Sequence, residues 1–112
     1  MKHFNLTDFR DRYPIPEDTA KAILRNCLKD LPAQISGLKQ CIKAQKRDEI
    51  VSAAHKILGV CFTISAEFMI ETAQEIEMTA GCIGFDDLSK NCQRLEKELK
   101  LAFKELELYI NS

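Results

Sequence analysis

Residues 24–42 read LRNCLKDLPAQISGLKQCI, and the spacing of their apolar members decides the fold class. Leu24, Leu28, Leu31, Ile35, Leu38 and Ile42 step by four and three, which returns each side chain to one stripe of a helix and never to one face of a strand. Pro32 sits inside this stripe. Lacking an N–H, it is expected to bend the helix or leave a carbonyl unpaired. Leu88, Cys92, Leu95, Leu99, Ala102, Leu106 and Tyr109 repeat the same steps near the other end. Two long amphipathic helices are therefore predicted.

Two shorter helices fit between them. Arg47-Asp48-Glu49 offers an N-cap and an acidic first turn, followed by a face of Ile50, Ala54, Ile57 and Cys61. Ser65 can cap another helix, whose inner face is Met69, Ala73, Ile76 and Ala80. After a turn marked by Gly81 and Gly84, Asp86 is placed to cap the last one. Pro14 and Pro16 close off a short N-terminal segment. The links are short, which favours antiparallel neighbours. The sequence thus predicts an all-α fold, an antiparallel up-down four-helix bundle with a short N-terminal helix, closed at one end by Phe4, Leu6 and Phe9.

With 112 residues, 46% of them hydrophobic, residues 1–112 suit one domain with a single core. Sixteen Lys and Arg against seventeen Asp and Glu leave a net charge of -1, which gives no electrostatic reason to expect nucleic acid or an anionic membrane as partner. No apolar run approaches a membrane span, and the N-terminus lacks the apolar core of a secretory signal, so a cytoplasmic protein is expected. Cys27, Cys41, Cys61, Cys82 and Cys92 show no metal-ligand spacing. They read as small hydrophobes, and neither metal nor cofactor is expected.

The segment AHKILG at 54–59 is the least ordinary part of the chain. At about 100° per residue, His55 lies roughly 120° from the centre of its helix's apolar stripe, so its ring should reach solvent. Ser52 and Gly59 are same-face neighbours, three and four residues away. A helical glycine costs about 1 kcal/mol against alanine, and at position 59 it clears space beside the imidazole. Val51, Leu58 and Phe62 fall between the stripe and the histidine, as an apolar patch on which a partner could dock.

Read with its surroundings, AAHKILGVCFTISA resembles the central pattern of the histidine phosphotransfer (HPt) domain family, AHxLKGxxxxxGA. His55, Ile57, Gly59 and Ala66 stand at matching places, and Met69, Ile76 and Glu77 continue the pattern. The mid-helix proline and the acidic residues ahead of the histidine helix match it too. Two positions depart: Leu58 stands where the family usually has lysine, and Ser65 where it has glycine before Ala66. Lys56 lies about 100° around the helix from His55 and does not replace that lysine.

The resemblance implies a phosphoryl carrier rather than an enzyme with its own substrate, a monomer in a bacterial cytoplasm. His55 would pass a phosphoryl group between aspartates of receiver domains, in response regulators or hybrid histidine kinases. Ser52, Lys56 and Gly59 would surround the phosphoryl group, and Val51, Leu58 and Phe62 would meet the partner. Mg²⁺ is implied only in the receiver. Imidazole suits the role because its neutral form offers a lone pair near neutral pH. One rival reading keeps fold and partner but drops the chemistry, leaving a receiver-binding adaptor. Another is a helical interaction module unrelated to signalling, pairing through Leu101 and Leu108.

Overall fold

The computed structural model describes residues 1–112 and is helical throughout, with no strand. Five helices follow in order: α1 (Leu6–Arg12), α2 (Glu17–Lys43), α3 (Arg47–Thr63), α4 (Glu67–Thr79) and α5 (Phe85–Ile110). None is long and apolar enough to cross a membrane. The stripes read from the sequence are buried almost residue for residue, and they merge into a single cluster of 27 apolar side chains. Helix α2 packs on α3 and α5, and α4 packs on the same two, so four helices enclose the core between them. At 1.5 Å per residue, α2 and α5 each run most of the 43 Å length of the molecule.

Helix α2 passes through Pro32 without ending. Leu28 loses the donor its carbonyl would otherwise find four residues on, but burial of six apolar side chains from Leu24 to Ile42 outweighs one missing hydrogen bond of about 1 kcal/mol. At the N-terminal end Phe4 and Phe9 are buried as expected, whereas Leu6 stays 37% exposed on the outer side of α1. Thiols at Cys61 and Cys92 are buried, and desolvation pushes them up to about 12 and about 11. All five cysteines are free.

Ser65 and Asp86 do not cap. Helix α4 is preceded by Ala66 and α5 by Gly84, with no side-chain capping bond at either; Asp86 lies within the first turn of α5, where a carboxylate faces the positive end of the helix dipole. Ser65 instead terminates α3. Its φ of 54° is the left-handed conformation of a Schellman ending, in which the Ala66 N–H donates to Cys61 and the Ser65 N–H to Phe62. That conformation favours glycine, and here serine adopts it. Its hydroxyl has a use: it donates to Asp8 at 2.7 Å and accepts from Arg12, whose guanidinium also donates to the Phe62 carbonyl. The Ser65 hydroxyl, with Arg12 second, holds the Asp8 carboxyl below its ordinary range. Helix α1 is thereby clasped to the corner between α3 and α4.

Arg47 secures the opposite end of the same helix pair. It donates to the carbonyls of Ala80 at 2.7 Å and Ile83 at 2.9 Å, and its guanidinium lies 4.2 Å from the centre of the Phe85 ring. The first residue of α3 is thus tied to the turn leaving α4. With the tight Ser65 corner at the other end, the α3–α4 pair is tied at both of its ends.

Candidate functional site

Midway along α3, His55 points away from the core stripe of Ile50, Ala54, Ile57 and Cys61, and its side chain is 73% exposed. One side of the ring is held. Glu77 reaches across from α4 and places Oε1 2.7 Å from Nδ1. An ionised carboxylate can only accept, so the ring donates Nδ1–H to it, which in the neutral imidazole puts the lone pair on Nε2; that nitrogen has no protein partner. Glu77 is itself partly covered, its side chain 24% exposed, which limits how far it can swing. The arrangement holds the ring through Nδ1 and leaves its outer nitrogen open to solvent.

Gly59 lies one turn beyond His55. A Cβ built there would meet nothing within 4 Å, so no neighbour inside the molecule requires glycine, and the helix forgoes about 1 kcal/mol of propensity for no gain in its own packing. The local backbone is steadied by the Thr63 hydroxyl, which donates to the Gly59 carbonyl at 3.1 Å. Val51 (37%) and Phe62 (48%) are exposed on the α4 side of His55, and leave apolar surface on both sides of it along the helix. Ser52 and Lys56 are exposed as well, but turn the other way and line a recess between α2 and α3 with Gln34 and Gly37. Lys56 therefore does not flank Nε2 on the Glu77 side.

Leu58 corrects the sequence reading. It is only 8% exposed and belongs to the core cluster. Position 58 lies about 60° nearer the stripe than His55, and α4 packs over that flank, so the side chain is covered. The docking patch read as Val51, Leu58 and Phe62 reduces at the surface to Val51 and Phe62. Glu77 was visible in the sequence as part of a pattern but carried no role there, because its pairing with His55, 22 residues away, depends on how α3 and α4 align.

This exposed, carboxylate-oriented histidine lies inside the stretch, residues 22–79, that the Hpt domain family model matches. The chain belongs to the Hpt domain family. No curated protein and no solved structure matches the chain. The matched stretch is just over half of the Hpt chain and takes in most of α2 with all of α3 and α4. Membership carries a phosphotransfer-related role in two-component signalling, and Hpt domains in general meet receiver domains.

Because Leu58 is buried, Leu58→Lys in this Hpt domain puts an ammonium at the α3–α4 seam, where the lysine stem must bend outward to rehydrate it. A loss of about 2 kcal/mol in a denaturant titration is expected. Unchanged stability would mean that α4 does not cover position 58.

Proposed function

We propose that the chain is a histidine-containing phosphotransfer protein that relays a phosphoryl group between receiver-domain aspartates through Nε2 of His55. The observation that carries this reading is the exposed ring with Nδ1 held by Glu77 at 2.7 Å and Nε2 open. In the reaction, the Nε2 lone pair attacks the phosphorus of a receiver's aspartyl phosphate. The bond from phosphorus to the carboxylate oxygen breaks, and the carboxylate leaves with the electron pair, next to the Mg²⁺ that the receiver holds. The imidazole ring becomes cationic as the N–P bond forms, and the Glu77 carboxylate stabilises that charge through Nδ1–H without removing the proton. The transition state needs in-line approach more than covalent help, and bare Gly59 clears that approach. Val51 and Phe62 are the apolar contacts for the receiver.

Around this site we read residues 1–112 as one domain, an antiparallel up-down four-helix bundle that acts as a cytoplasmic monomer. Support for the antiparallel arrangement comes from contacts that run in opposite senses. Lys21 meets Ser112 and Lys39 meets Glu96 across α2 and α5; Arg47 meets Ala80 and His55 meets Glu77 across α3 and α4.

A second reading, the receiver-binding adaptor without chemistry, draws on one observation. Apolar Leu58 occupies the place of the family lysine, and the nearest lysine in sequence, Lys56, faces α2. Incubation with a phosphorylated receiver separates the two readings. Label is expected on the chain, labile in acid and stable in base, and absent from His55→Gln at unchanged melting temperature. Receiver binding with no transfer to the native chain would leave the adaptor.

In the same assay Glu77→Ala is expected to slow transfer by about 10- to 100-fold, by analogy with the loss of a carboxylate that orients a metal-bound histidine. Receiver affinity should hardly change. An unaltered rate would deny Glu77 any part in presenting the ring.

Gly59→Ala should raise stability by about 1 kcal/mol and yet slow transfer, because the new methyl group projects into the path to Nε2. A gain in stability with transfer at the native rate would show that the receiver does not approach over position 59.

A further inference from the structure

The side of the molecule where α2 meets α5 carries a recess of about 600 Å³ that the phosphotransfer reading leaves without a role. Pro32, Ile35, Leu99 and Phe103 form its apolar part. Lys39, Lys100 and Lys104 stand at its edge, and Glu96 is the one carboxylate among its lining residues. Glu96 is engaged, 3.5 Å from Lys39. Lys100 and Lys104 have no carboxylate within 4.0 Å. Exposed Lys43 extends the basic edge by one turn. Helices α2 and α5 together carry ten Lys and Arg against nine Asp and Glu, whereas α3 and α4 carry two against six. The net negative charge thus falls on α3 and α4, while Lys100 and Lys104 stand unpaired at the recess.

We propose that the α2–α5 recess is a second docking site, for an acidic segment of a partner protein that inserts an apolar side chain between the helices. Three observations select this occupant. The cations call for negative charge, and two of them have no partner within the chain. The apolar floor distinguishes the ligand from a bare anion, which would gain nothing from Phe103 and Leu99. The site is concave, whereas insertion into a lipid surface needs apolar side chains that protrude. The recess runs along about two turns of each helix, from Pro32 to Lys39 and from Glu96 to Lys104. That length, ~10 Å, matches a short helical or extended segment. Helices α3 and α4, which carry His55 and Glu77, lie across the core, so a receiver and this second partner can be held at the same time.

The probe is a fluorescent peptide with Glu and Asp around Leu and Phe at helical spacing, titrated into the full chain by anisotropy and mapped by amide chemical shifts. Shifts are expected at Ser36, Lys39, Lys100 and Phe103 and not around His55, with affinity falling as salt rises. The double variant Lys100→Glu/Lys104→Glu should weaken binding by at least about tenfold while accepting phosphoryl from a receiver at the native rate. A control peptide with Ser in place of Leu and Phe should bind more weakly than the probe. Shifts that map to α3 and α4, affinity indifferent to the charge reversal, equal binding by the serine control, or attachment of the chain to anionic vesicles through these lysines would each overturn the proposal. Loss of transfer in the native chain would count against His55 alone, because the peptide titration does not depend on it.

Discussion

The alignment of α3 with α4 is the constraint on which the site depends. His55 and Glu77 belong to different helices, and their 2.7 Å contact survives only while the two cannot slide. Packing of the apolar faces of both helices into one core sets that alignment. Contacts at both ends reinforce it. Arg47 holds the open end through two carbonyls and an aromatic face, and the left-handed Ser65 makes the closed end a tight corner. A shift of one turn, about 5.4 Å, would carry Glu77 out of reach of the imidazole.

Ser65 shows how one residue can serve two purposes. Its backbone does what glycine would do more cheaply, at a cost of about 1 kcal/mol for the left-handed conformation. Its hydroxyl does what glycine cannot, and joins Asp8 and Arg12 into the clasp that seats α1. The departure from the family pattern at this position therefore follows from a local exchange of backbone ease for a side-chain link.

Much of the architecture was legible in the sequence because apolar periodicity reports directly on which stripe of each helix is buried. Leu24 to Ile42 and Leu88 to Leu106 needed nothing more. The same angular argument placed His55 toward solvent. It failed for Leu58, since an angle gives the direction of a side chain and not how far the neighbouring helix extends over it. It also misread Ser65 and Asp86, because residues that suit a helix start equally suit the end of the preceding helix or the first turn of the next. Glu77 was beyond its reach for a different reason: pairing across 22 residues is a property of the assembled helices and leaves no local trace.

Helix α5 lies outside the stretch that defines the family here, residues 22–79, yet it packs against both α2 and α4 and supplies Leu88, Leu95, Leu99 and Leu106 to the core. The part that identifies the chain is thus not a part that can stand by itself. Cut at the family boundary, α2 and α4 would turn bare leucine and isoleucine faces to water, and the fragment would collapse or seek another helix to cover them. Recognition of the histidine is local, whereas solubility belongs to the complete set of helices. A fusion or transplant of this module must carry α5 with it.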